Sequence, residues 1–142
     1  VPREQLYAES DFISLLAPLN HETYHMINFH SLALMKPNVI IVNTSRGGLV
    51  DTAALVEALK ARRIGGACLD VYEEEAGVFY QDLSDTTIPD DVLARLLTFN
   101  NVLITSHQAF LTSEALVNIA GTTLESIRQF AAGQELANRV SE

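Results

Sequence analysis

The sequence predicts an α/β domain built on a parallel sheet, and three observations carry that expectation. Short apolar runs rich in β-branched residues, such as VIIVN at 39–43, alternate with longer stretches of helical spacing. The intervals between runs suit crossover helices rather than tight hairpins. A continuous apolar run like VIIVN also fits a strand covered on both faces, as parallel strands are.

The elements follow in order. Residues 12–16 read as the first strand, and 31–35 as a short helical segment ended by Lys36-Pro37, because proline removes a donor and clashes with the preceding turn. Residues 39–43 form the second strand. Asp51 or Thr52 can cap a helix whose apolar face carries Leu55, Val56 and Leu59. Gly65-Gly66 closes that connection and 67–72 is the third strand. A long loop, 73–89, leads to a helix starting at Asp90 (DVLARLLTF) and a last strand at 102–105. From Thr112, the positions Leu116, Ile119, Ala120, Thr123, Leu124, Ile127, Phe130 and Ala131 keep helical spacing up to Gly133, a C-cap residue. Gly121 inside this helix costs roughly 1 kcal/mol relative to alanine, which points to close packing against another backbone. The tail from Gln134 to Glu142 is polar.

With 142 residues, 48% of them hydrophobic, the chain can bury a real core as one domain. It begins at Val1 in mid-pattern, as a piece of a longer protein would. It shows neither a signal-peptide pattern nor an apolar run of the roughly 18 residues that a membrane span needs. Net charge is −9 and the nine basic residues are scattered, which argues against a nucleic-acid or anionic-membrane partner. Eight carboxylates and no Lys or Arg fall between Asp70 and Asp91. Most of that run reads as a solvated loop. DLSDTT lacks the alternating ligands and glycine of a calcium loop. Cys68, the sole cysteine, excludes an intrachain disulfide and a cysteine zinc site. It reads as a small buried hydrophobe in a reduced, cytoplasmic protein.

Ligands of parallel sheets bind beyond the carboxyl ends of the strands. Three turns reach that rim: NTSRGG with Arg46, LDVYEEE with Asp70 and three glutamates, and TSHQAF with His107. Arg46 is either a surface arginine or a bidentate clamp for a carboxylate, a role lysine does not reproduce. A carboxylate beside His107 would favour the protonated imidazole and fix the ring, suiting it to donate and recover a proton near neutral pH. The residues themselves do not select among Glu73, Glu74 and Glu75. His21-Glu22-Thr23-Tyr24-His25 competes as an HExxH zinc motif. That chemistry needs both imidazoles on one face of a sustained helix and a third ligand, whereas Pro18, Asn20 and Asn28 leave barely two turns. GxGxxG, the P-loop and GxSxG are all absent from the sequence. Residue by residue, the reading reaches an α/β domain with an anion-binding acid–base site.

Taken together and in order, ISLLAPLN, VIIVNTSRGGLVD, CLDVYEEE and VLITSHQAF resemble the D-isomer-specific 2-hydroxyacid dehydrogenases over nearly the whole chain. DVYEEE, the aromatic-bearing loop 78–80 and HQAFLTSEAL are most similar to the fermentative D-lactate dehydrogenase branch. In the family the position of Leu16 is often histidine. The resemblance implies a Rossmann-type cofactor domain inserted into a substrate domain. Residues 1–110 would be the C-terminal half of the NAD-binding domain, and 111–142 a crossing helix and tail returning to the substrate domain. The GxGxxG turn, and the acid that discriminates NAD from NADP, would lie upstream of Val1, and the chain alone would be inactive. By motif, Arg46, Glu75 and His107 match the catalytic positions: the arginine holds the substrate carboxylate, and the glutamate supports the histidine general acid. Ala17, Pro18, Thr23, Thr44, Ser45, Arg46 and Asp70 match cofactor contacts, and Phe110 an aromatic near the substrate. The implied reaction is NADH-dependent reduction of pyruvate to D-lactate in a cytoplasmic homo-oligomer. The alternatives are a bulkier 2-oxo acid within the family and, outside it, an HExxH zinc hydrolase.

Overall fold

Four strands lie side by side in the order in which the chain makes them, all parallel: β1 (Phe12–Leu15), β2 (Ile40–Asn43), β3 (Gly66–Leu69) and β4 (Val102–Ile104). This is a computed structural model that describes residues 1–79, 82, 85 and 87–140. Tyr80, expected in the aromatic-bearing loop, and the last two tail residues lie outside the described residues. The chain divides into two compact units, 1–108 and 109–142.

In the first unit α1 (Arg3–Glu9) precedes β1, and the three crossovers are helical: α2 (Phe29–Leu34), α3 (Thr52–Lys60) and α4 (Asp91–Leu96). The register aligns Ile13, Ile41, Ala67 and Val102 across the sheet, and two residues on, Leu15, Asn43, Leu69 and Ile104. This face carries the core. Tyr7, Leu32, Leu55, Leu59, Leu93 and Leu96 from the helices join Ile13, Ile41 and Leu69 in one cluster. α1 packs on α2, α2 on α3, and α3 on α4. Ile41 and Leu55 are fully buried, each contributing about 1.5–3 kcal/mol by removal from water.

The opposite face differs from expectation. Phe12 is 72% and Leu103 58% exposed, and Ile40, Val42 and Cys68 are half-buried. Side chains alternate across a strand, so VIIVN has one deeply covered face rather than two, and Cys68 sits on the open side.

Caps set the helix starts. α2 begins earlier than the apolar spacing suggests because Asn28 Oδ1 accepts from His30 N (3.0 Å) and Ser31 N (3.1 Å), while Ser31 Oγ accepts from Asn28 N (2.8 Å). Asp51 caps α3 through Ala54 N at 3.0 Å. Asp90 caps α4 through Val92 N and Leu93 N, both at 2.9 Å. α4 ends at Leu96, short of Phe99, and β3 ends at Leu69 rather than Tyr72. α1 was not expected at all: with Tyr7 its one buried residue, it shows no apolar stripe to read.

The second unit contains α5 (Ser113–Ala131), whose N-cap Thr112 accepts from Ala115 N at 3.2 Å. Gly133, just beyond the helix, has φ 66°, the left-handed residue that commonly stops a helix. Its apolar positions are exposed, from Leu116 at 45% to Phe130 at 75%. A Cβ on Gly121 would meet nothing within 4 Å among the described residues, so the close backbone approach expected there is not made. Among the described residues, no helix is long and apolar enough to cross a membrane.

Candidate active site

Three turns leave the carboxyl ends of β2, β3 and β4. The first is built on Asn43, the last residue of β2 and 1% exposed. Its side chain donates to Arg46 O (2.9 Å) and accepts from Ser45 N (3.1 Å), so the buried amide shapes the turn from beneath. Nothing in the motif string singled out this residue beyond its place at a strand end. Gly47 is required for space rather than for an unusual φ: a Cβ there would stand 2.1 Å from Tyr72 O and 2.5 Å from Glu73 N. The Arg46 turn is therefore pressed against the backbone leaving β3. Arg46 itself is exposed, and its Nη1 donates to Ser45 O at 2.8 Å.

The second turn resolves the choice among the glutamates. Glu75 Oε1 lies 3.0 Å from His107 Nδ1, and Glu75 Oε2 accepts from Tyr72 N at 3.1 Å. Glu73 is committed elsewhere, to His25 and Thr52, and Glu74 is exposed. The second oxygen of Glu75 thus anchors the carboxylate to its own loop while the first meets the imidazole. Side-chain exposure is 32% for His107 and 21% for Glu75, a half-dry setting in which a charge-assisted hydrogen bond holds its geometry well.

The third turn is strained. Ser106 and His107 have φ 52° and 58°, left-handed values uncommon outside glycine and together worth a few kcal/mol, at about 1–3 kcal/mol each. Buried Asp70, 4% exposed, offsets that cost. Its backbone carbonyl accepts from His107 N at 2.5 Å, and its Oδ1 accepts from Thr105 Oγ1 (2.5 Å) and Gln108 N (2.7 Å). Asp70 therefore scaffolds the histidine turn, a role the sequence did not disclose. With Nδ1 turned to Glu75, the ring directs Nε2 away from the carboxylate.

The remaining positions expected to contact a cofactor are bonded to one another at the same rim. Ser45 Oγ donates to Ala17 O (2.9 Å), tying the β2 turn to the β1 turn, and Thr23 Oγ1 donates to Pro18 O (2.6 Å). Thr44 is exposed on the same rim. Hydroxyls, backbone and Asp70 at the carboxyl ends of a parallel sheet suit one end of a dinucleotide. Phe110 belongs to the second unit and is 50% exposed. A cavity of about 750 Å³ lined by Asn38, Gly65 and Asn101 opens before the strands, at the end of the sheet away from these turns.

HETYH is not a helix. Residues 20–25 form turns, the His21 side chain is 91% exposed, and His25 Nε2 lies 2.5 Å from Glu73 Oε1. Among the described residues, no group of three His, Cys, Asp or Glu is placed to hold a metal ion. The zinc-hydrolase alternative is without support.

Residues 1–109 match the family model described as D-isomer specific 2-hydroxyacid dehydrogenase, NAD binding domain. The chain is 48% identical over 135 residues to a D-lactate dehydrogenase of Escherichia coli (strain K12), covering 95% of this chain and 41% of that protein. It is 46% identical over 127 residues to an aromatic 2-oxoacid reductase of Clostridium sporogenes, covering 89% and 38%. The fold is similar to a crystal structure of D-lactate dehydrogenase with NAD+ from Lactobacillus jensenii: TM-score 0.90, 34% identity, 100% of this chain and 43% of that one. The chain spans about two fifths of the length of the curated relatives it matches.

Proposed function

Because this chain belongs to the NAD-dependent D-isomer-specific 2-hydroxyacid dehydrogenase family, we propose that the whole protein reduces pyruvate to D-lactate with NADH, reversibly. The observation that carries the reading is the 3.0 Å contact between Glu75 and His107 Nδ1 on the strained turn after β4.

NAD, when bound, supplies or accepts the hydride at substrate C2. Everything else falls to side chains of the protein. Arg46 grips the substrate carboxylate in a bidentate pair and offsets charge growing on the carbonyl oxygen. To do so its guanidinium exchanges the Ser45 carbonyl for substrate, a short swing for an exposed side chain. His107, protonated, gives its Nε2 proton to that oxygen as reduction proceeds, and takes it back in the oxidation direction. Glu75 holds the ring by Nδ1. Asp70 keeps residues 105–108 in the conformation that aims the imidazole. Ala17, Pro18, Thr23, Thr44, Ser45 and Asp70 serve the cofactor side, and Phe110 the substrate side. We place the protein in the cytoplasm as a homo-oligomer. The chain 1–142 by itself is inactive in this reading, because its sequence holds no glycine-rich phosphate turn.

A second reading, a bulkier 2-oxo acid, is favoured by the likeness to an aromatic 2-oxoacid reductase. Steady-state NADH oxidation by the whole protein separates the two. Pyruvate is expected to give the highest kcat/KM in a panel with 2-oxoisocaproate and phenylpyruvate, with product of D configuration. A higher value for either bulky acid replaces the first reading with the second, and an L product rejects both.

A further inference from the structure

Within the HETYH segment, His25 is the residue that links the turn after β1 to two other turns. Its backbone is left-handed, φ 51°, and is held there from two sides. His25 N donates to Gly48 O at 2.9 Å, inside the Arg46 turn, and Asn28 Nδ2 donates to His25 O at 2.8 Å. Its ring is stacked on Tyr24, with centroids 3.9 Å apart. Its Nε2 meets Glu73 Oε1 at 2.5 Å, two residues before Glu75. Glu73 Oε2 accepts from Thr52 Oγ1 (3.0 Å) and Thr52 N (3.3 Å) at the start of α3. One residue thus holds the Arg46 turn by its backbone and the Glu75 turn by its side chain. Gly47, packed on Tyr72 O, brings the same two turns into direct contact.

We propose that His25 and Glu73 form a positioning clasp that sets the spacing between the Arg46 turn and the Glu75 turn. The clasp touches neither substrate nor cofactor and acts through Arg46 and Glu75. The proposal rests on the catalytic reading of those two residues. A misplacement of about 1 Å in such a constellation can cost on the order of a hundredfold in rate, so a partly loosened clasp is expected to cost about tenfold.

The test uses the whole protein with His25→Gln, Glu73→Gln, the double variant, and Leu55→Ala as a core variant at a buried α3 position outside both turns. Each single variant is expected to lower kcat/KM for the 2-oxo acid about tenfold. The double variant should be no worse than the poorer single, since both break one link. Leu55→Ala should lose Tm but keep kcat/KM at a temperature where it is folded. Hydrogen exchange read by mass spectrometry should quicken in both 46–50 and 74–79 when Glu73 is changed. Single variants within twofold of wild type, losses that multiply in the double variant, or an equal loss in Leu55→Ala would overturn the clasp. If the wild type reduces no 2-oxo acid, the catalytic reading fails, and exchange alone decides the clasp: faster in both turns sustains it, unchanged in either refutes it.

Discussion

Two hydrogen-bonded imidazole–carboxylate pairs among the described residues look alike in isolation. His25–Glu73 and His107–Glu75 both place histidine in left-handed backbone, at φ 51° and 58°. Both are partly shielded, with histidine side chains 27% and 32% exposed and both glutamates 21%. They differ in what else each carboxylate holds and in which ring nitrogen is used. Glu73 spends its second oxygen on Thr52, fastening a loop to the start of α3. Glu75 spends its second oxygen on Tyr72 N in its own turn. His25 meets its partner through Nε2, His107 through Nδ1. The lesson is that such a pair has no fixed job. A carboxylate bonded into a neighbouring helix makes the pair a fastener. A carboxylate anchored within its own loop at the strand ends makes it a holder for a ring that can do chemistry.

The sharpest way to break this contrast is to remove each ring in turn. His107→Gln in the whole protein is expected to slow turnover by roughly 10²–10⁴-fold, the usual worth of a general acid, against about tenfold for His25→Gln. Similar losses in kcat would erase the distinction. Arg46→Lys comes next, because a lysine keeps the charge but not the fork. The 2-oxo acid KM should rise and kcat fall, with kcat/KM down about 10–100-fold, equivalent to the roughly 1.5–3 kcal/mol of a charge-assisted bond. Unchanged steady-state constants would take Arg46 out of the site. Glu75→Gln should lower kcat more than Glu73→Gln, by about tenfold over it, and the reverse order in the same assay would exchange the two roles. The smallest expected effect is Thr52→Val, which deletes one hydroxyl bond to Glu73 and should cost about 1 kcal/mol in a denaturant titration, with kcat close to normal. A Thr52→Val enzyme with wild-type stability would show that the second oxygen of Glu73 carries little.

Much of the fold was legible because period and punctuation agree. β1, β2 and β4 fall where the apolar runs lie, and α3 and α5 where helical spacing meets Asp51, Thr112 and Gly133. α1 escaped because seven residues with one buried side chain carry no period. The ends of β3 and α4 differ from expectation because Val71, Tyr72, Leu97 and Phe99 remain apolar after the hydrogen-bonded ladder or helix has stopped. At the site, Arg46 and His107 were visible as unusual residues in turn signatures. Asn43 and Asp70 were hidden as scaffolds, since a buried polar residue under a turn leaves no spacing signal.

What the sequence determined by itself is local: strand and helix alternation, caps, and the placing of three chemically distinct side chains just past strand ends, all consequences of side-chain period and backbone preference within a few residues. What only the tertiary structure decided is pairing across distance. The choice of Glu75 for His107 and Glu73 for His25 depends on contacts 32 and 48 residues apart. Three adjacent glutamates are identical as chemistry, and the course of the turn after β3 in the folded chain determines which imidazole each of them meets.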